Sequence, residues 1–235
     1  LYVDAVIVSD QEVNDVGITK VVSPGLVHCV TAPSIKISVK NYSTAVITSF
    51  DVVRTLNGGA PSTQTITVNL DLDEEKTITL NPVTLKQGEN NLVVTINNPN
   101  GLPDSSPANN TLAFNSYLDQ STDAAPMRLT FDNPLEVPWI MATPQTNGQD
   151  WETVNTPKKT SVAYKAFTNT SLGEESWLVS PILDLSQYSQ QNLFFDLSYA
   201  FKYPREDRLK VIASTDCGVT YNRVLFDESG SAFQD

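Results

Sequence analysis

Residues 34–40, SIKISVK, set Ile35, Ile37 and Val39 at alternate positions with Lys36, Ser38 and Lys40 between and after them. Successive side chains of a β-strand point to opposite faces, so this stretch offers one apolar face to a core and one polar face to water. The same pattern recurs on the C-terminal side. Ile66, Val68 and Leu70 alternate in TITVNL, Leu92, Val94 and Ile96 in LVVTI, and Leu112 and Phe114 in TLAF. Adding VDAVIV (3–8), ITSFDVVRTL (47–56) and KTITL (76–80) gives about seven short strands over roughly a hundred residues, the spacing of an immunoglobulin-like sandwich. Turn signals NYST, NGGAPS, KQGEN and NPNGLPDSSPANN separate them. The Cys-Trp-Cys hallmark of antibody domains is missing, so the pattern implies the architecture alone.

The polar stretch LDQSTDAAPM (118–127) has no periodicity and contains Pro126, which marks a linker at 119–126 between a first domain, 1–118, and a second, 127–235. Beyond it, MRLTFD (127–132), SVAYKAF (161–167), SWLVSP (176–181), NLFFDLSYAFKY (192–203), RLKVIAS (208–214) and TYNRVLF (220–226) read as strands. All three tryptophans, Trp139, Trp151 and Trp177, belong to this half. The expected fold is all-β: an immunoglobulin-like sandwich followed by a jelly-roll sandwich.

The 235 residues carry a formal net charge of −12 and a sequence pI near 4.4. Nucleic acid and anionic membranes are poor partners for such a chain, because phosphate binding needs clustered Lys and Arg. No apolar run approaches the roughly 20 residues that span a bilayer. The chain opens on LYVDAVIV without an initiator Met or a basic leader, as expected of a mature product or an excised piece. The sequons begin at Asn41, Asn109 and Asn169. Its two cysteines, Cys29 and Cys217, fall in different domains by the boundary above, so no bridge between them is expected and Cys217 reads as a lone thiol.

Little of the sequence looks catalytic. The single histidine, His28, precedes a cysteine in a strand-like stretch and reads as structural. No HExxH helix is present, and GGAPS (58–62) lacks the Lys and helix of a phosphate loop. DLDEEK (71–76) starts like a calcium loop, but Lys76 and Pro82 stand where the EF-hand requires Gly and Glu, which leaves a charged hairpin turn. Glu174–Glu175 and Glu206–Asp207 are adjacent pairs, and adjacent strand residues face opposite ways, so neither can flank a glycosidic bond. No catalytic residue is assigned. Exposed aromatic rings can stack on sugars, which makes Trp139, Trp151, Tyr199 and Tyr203 the candidate ligand contacts, with burial in the core as the competing role.

STDCGVTY (214–221) has the spacing of the sialidase-type Asp box, S-x-D-x-G-x-T-W, with Tyr for the final Trp. In a hairpin, Asp216 can accept hydrogen bonds from the turn's own amides, Gly218 can supply a positive φ and Tyr221 can pack beneath. Those roles, with Ser214 and Thr220, need no substrate. A structural turn is expected.

WLVSPILDLS (177–186) and NLFFDLSYAFKYPREDRLKVIASTDCGVTY (192–221) together resemble the MAM-like, choice-of-anchor jelly-roll modules of secreted Bacteroidetes proteins, and APMRLTFDNPLEVPWIM looks like the start of the same module. HCVTAPSIKISVKNYST, VVRTLNGG and NNPNGLPDSSPANNT are similar to the adhesion-type, CARDB-like Ig domains that precede such modules. The resemblance implies export through the type IX secretion machinery to the extracellular space or outer cell surface. It also implies a non-catalytic role in adhesion, with a polysaccharide or a cell-surface protein as ligand. Cytophagalysin-type metallopeptidases carry the same modules beside their catalytic domain, and a stalk or filament subunit is a further use of them. It implies a structural Ca²⁺ with Asp132 among its ligands, and further strands after the last one here, so that the second sandwich is expected to be incomplete within this chain.

Overall fold

The computed structural model describes residues 14–120, 123–124, 131–132, 139–142, 150–157, 159–166, 173–200 and 207–234. The chain divides into two compact units. Leu1–Gly25 and Val30–Leu118 make the first, while Leu26–Cys29 and Asp119–Asp235 make the second.

In chain order the strands begin β1 (Val16–Ser23), β2 (Val27–His28), β3 (Ile35–Asn41), β4 (Ile47–Leu56), β5 (Ser62–Leu70), β6 (Glu75–Leu80), β7 (Gly88–Asn97) and β8 (Thr111–Leu118). Of these, β2 lies in the segment that belongs to the second unit. The first unit is a sandwich of two antiparallel sheets, β1-β3-β6 facing β8-β7-β4-β5. Ile35, Ile37 and Val39 from one sheet meet Phe50, Val52, Leu92, Val94 and Ile96 from the other in a single buried cluster. This is the immunoglobulin-like arrangement that the alternation of SIKISVK implies. Burying each such side chain contributes about 1.5–3 kcal/mol.

Two local features show how the sequence sets the register. In β4 the buried residues Ile47 and Phe50 are three apart, which breaks a period of two. The pairing of β4 with β5 shifts between Ile47 and Ser49, and this bulge returns Phe50, Val52 and Arg54 to the inner face. Arg54 therefore continues a core row with a cationic head. Its guanidinium donates to the Asn81 carbonyl, and burial pulls its pKa down. Asn41, fully buried at the end of β3, donates to the Ala45 and Leu70 carbonyls at 2.8 and 2.9 Å. Its Oδ1 accepts from Ser43 N at 2.9 Å and Ser43 Oγ at 2.7 Å, so this sequon has no free amide for a glycan. The Asn109 amide is engaged by the Asp15 carboxylate at 2.9 Å, and Asn169 lies outside the described residues.

DLDEEK is a charged turn, as its composition implies, but not a hairpin: it links β5 in one sheet to β6 in the other. Asp71 N donates to Glu74 Oε2 and Lys76 pairs with Glu74 at 2.8 Å within the turn, while Asp73 pairs with Lys40 and Glu75 accepts from Thr19 and Ser38 on the neighbouring strands. VDAVIV lies outside the described residues. β1, which the alternation had not marked, carries register shifts at Ile18/Lys20 and Val21/Ser23.

The second unit is also β in character. It contains β9 (Asp123–Ala124), β10 (Ile140–Ala142), β11 (Glu152–Asn155), β12 (Thr160–Ala163), β13 (Trp177–Val179), β14 (Leu183–Asp184), β15 (Arg208–Ala213) and β16 (Arg223–Ser229). Described residues join these into two-stranded ladders, β10-β13, β11-β12 and β15-β16 antiparallel and β9-β14 parallel. The described part of NLFFDLSYAFKY forms no strand, and Phe194 within it is 88% exposed. No helix among the described residues is long and apolar enough to cross a membrane.

Cys29 and Cys217 are joined by a disulfide, with Cα atoms 5.5 Å apart, which overturns the expectation that they stay apart and that Cys217 is a lone thiol. The physical reason is the excursion of Leu26–Cys29. Four residues of the N-terminal chain are built into the second unit, so distance along the sequence is no measure of distance in space.

Candidate functional site

The STDCGVTY turn caps the β15–β16 hairpin. Val219 N donates to the Asp216 carbonyl at 3.4 Å, and the two residues between, Cys217 and Gly218, both have positive φ, 58° and 76°. A turn of this hand requires positive φ at both central residues, which Gly supplies without steric cost. Ser214 Oγ accepts from Gly218 N at 2.8 Å and donates to Asp216 Oδ1 at 2.8 Å. The Asp216 carboxylate in turn accepts Thr220 N at 2.9 Å and Thr220 Oγ1 at 2.7 Å. The side chains of Ser214, Asp216 and Thr220 are thus engaged within the motif, and beneath it Tyr221 meets Trp177 edge-on with ring centroids 5.1 Å apart.

The Leu26–Cys29 tongue lies against this turn. A Cβ built on Gly218 would stand 2.0 Å from the Val27 carbonyl oxygen, so the backbone of the tongue occupies the space a side chain would need. Beside it, Cys29 is bonded to Cys217. Asp119 N donates to the His28 carbonyl at 2.9 Å, and Ile182 N donates to Asp119 Oδ2 at 3.1 Å, which extends the anchorage into the chain before β14. His28 itself is buried, at 4% exposure. The motif that most resembles an active-site element is a clasp for a strand-like tongue.

The Thr220 hydroxyl, then the Thr220 amide, then Ser214, hold the Asp216 carboxyl below the usual carboxylate range. Such a depressed group stabilises the fold fully above its unfolded value of about 3.9, and that stability is lost as pH falls through the lower folded pKa. Asp216→Asn is therefore expected to flatten the acid limb of stability: below about pH 4 the wild type loses melting temperature faster than the variant. Thermal unfolding between pH 5 and 3 checks this, and parallel curves contradict it. Tyr221 moves the other way, its phenol pushed up by burial and then by the Asp216 charge.

The candidate ligand contacts are placed as follows. Trp151 is partly buried, donates Nε1 to the Ser176 carbonyl at 3.2 Å and lies 6.1 Å from the Tyr164 ring. Trp139 is partly buried against Phe131, at 5.7 Å between centroids. Tyr199 donates to Asp207 Oδ2 at 3.2 Å and packs on Phe233 at 4.8 Å. The three stand in three separate aromatic pairs, and Tyr203 lies outside the described residues. Outside these four residues lies an exposed apolar run: Leu193, Phe194, Phe195 and Leu197 are 60%, 88%, 45% and 46% exposed. Asp132 accepts from Thr160 N at 2.8 Å through Oδ1, a role that fixes the start of β12. Among the described residues no three His, Cys, Asp or Glu side chains are grouped to hold a metal ion.

No protein-family model matches the chain, and no curated protein matches it. Among solved structures it is similar to a CARDB domain from Pyrococcus furiosus determined in solution by NMR, at 22% identity over 47% of this chain and 99% of that one, with a TM-score of 0.38. A crystal structure of the CARDB domain of the same archaeal protein, in complex with di-metal ions, is similar at 23% identity over 47% of this chain and 97% of that one, with a TM-score of 0.37.

Proposed function

We propose that the chain is a pair of non-catalytic β modules from a secreted or surface-displayed bacterial protein, and that its role is adhesion. The observation that carries this is the fate of the STDCGVTY turn. Its polar groups bond to one another, its cysteine is oxidised to Cys29, and its glycine holds the tongue, which leaves no group poised to act on a substrate. A disulfide of this kind belongs to an oxidising compartment, in keeping with an extracellular location. The type IX export route, a Bacteroidetes source and the MAM-like assignment of the second unit rest on the sequence resemblance. Use of the same modules beside a metallopeptidase domain is the alternative that resemblance leaves.

Adhesion requires a surface that meets a ligand, and the run Leu193–Leu197 is an exposed apolar stretch among the described residues of the second unit. Its aliphatic and phenyl side chains suit a protein face better than a sugar, whose ring stacks best on Trp or Tyr. The test is binding of the chain to arrays of cell-surface proteins and of polysaccharides, with Phe194→Ser and Trp151→Ala as variants. A protein ligand is expected, with Phe194→Ser weakening it at least about tenfold while the melting temperature stays within error. Polysaccharide binding lost in Trp151→Ala would replace the apolar run by the aromatic pair, and binding to neither array would remove the adhesion reading.

A further inference from the structure

The Cys29–Cys217 bond closes a covalent loop with a sequence separation of 188 in a chain of 235 residues. Every strand from β3 to β15 lies inside that loop; β1 and β2 lie before it and β16 after it. A pull applied at the two ends of the chain therefore runs through the N-terminal stretch to Cys29, across the sulfurs to Cys217, and out through β16. It bypasses everything between. We propose that this bond is a tension clasp, which keeps β3 to β15 from unravelling when the protein is stretched along its chain.

The geometry of the turn suits that role. Force arriving at Cys217 enters a turn whose neighbours are tied by Ser214, Asp216 and Thr220, and force arriving at Cys29 enters a tongue held by Asp119 and seated on Gly218. Outside the loop and among the described residues, β1 is the edge of its sheet and pairs only with β3, so it can peel away with Val16 as its one fully buried apolar side chain. Among the described residues β16 likewise pairs only with β15. The proposal rests on the surface-protein reading for its purpose, because adhesion and stalk proteins are the ones that bear tension, but its physics depends only on the bond.

Single-molecule stretching from the two termini tests it directly. Extended chain spans about 3.5 Å per residue, so the oxidised protein is expected to lengthen by no more than about 160 Å, and reduction to release about 650 Å more. A dithiol supplies that step: one thiolate attacks Sγ of Cys217 and Cys29 leaves as its thiolate, then the second thiolate attacks the reagent sulfur of the mixed disulfide and Cys217 leaves as its thiolate, so two electrons pass from reagent to protein. Cys29→Ser/Cys217→Ser should extend like the reduced wild type, and reduction of the folded wild type under load gives the same reading if that variant does not fold. An oxidised molecule that extends fully, or a reduced one that gains nothing, overturns the clasp. Failure of the ligand arrays would instead count against adhesion and leave the extension limit untouched.

Discussion

Cys29→Ser/Cys217→Ser is expected to destabilise the second unit by about 2–4 kcal/mol. A disulfide limits the unfolded chain more as the loop it closes grows, and for a separation of 188 the chain-entropy estimate is about 5 kcal/mol. The expected value is lower because residues 30–118, inside the loop, form a unit with its own core and do not become random coil when the second unit opens. In a thermal melt the transition of the second unit should fall by about 10 °C while that of the first stays in place. The reduced wild type should match the variant. A shift below about 2 °C, or an equal shift in both transitions, would show that the tongue is not held by the bridge.

Gly218→Ala should cost about 2–4 kcal/mol, the sum of left-handed backbone strain near 1 kcal/mol and forced displacement of the tongue. The strain follows from φ of 76°, and the displacement from the 2.0 Å gap between the new Cβ and the Val27 carbonyl oxygen, which is backbone and has no rotamer to change. Gly58 separates the two causes. It has φ of 68° and nothing within 4 Å of its Cβ position, so Gly58→Ala should cost only about 1 kcal/mol. Chemical denaturation of both variants gives the comparison. Free thiol should also rise in Gly218→Ala, because a displaced tongue carries Cys29 away from Cys217. Equal costs for the two substitutions would mean that Val27 yields freely, and that the turn does not seat the tongue.

The first unit was legible because its strands are half-buried and their side chains obey a period of two. ITSFDVVRTL reads as a strand with the bounds that β4 has, even though a bulge breaks its alternation, since Ile47, Thr48, Phe50, Val52, Val53 and Thr55 are β-branched or aromatic. VGITKVVS escaped notice: its bulges at Ile18/Lys20 and Val21/Ser23 disturb the alternation, and as an edge strand it buries little. NLFFDLSYAFKY failed in the opposite sense. Alternating apolar residues state what a segment would bury beside a partner strand, and no described strand pairs with 191–200. In the candidate site, the roles of Ser214, Asp216, Gly218 and Thr220 follow from local turn chemistry, so the sequence suffices for them. The tongue does not follow from it. That Val27 rests on Gly218 and that Cys29 meets Cys217 are consequences of where a four-residue excursion goes, and no periodicity or spacing encodes that path.

The most direct test of the clasped turn is peptide mapping by mass spectrometry of the protein digested without reduction after alkylation of free thiols. A single species that links the Cys29 peptide to the Cys217 peptide, and separates on reduction, is the expected result. Recovery of both cysteines alkylated would contradict it and return STDCGVTY to the status of an unoccupied motif with a reactive thiol at its centre.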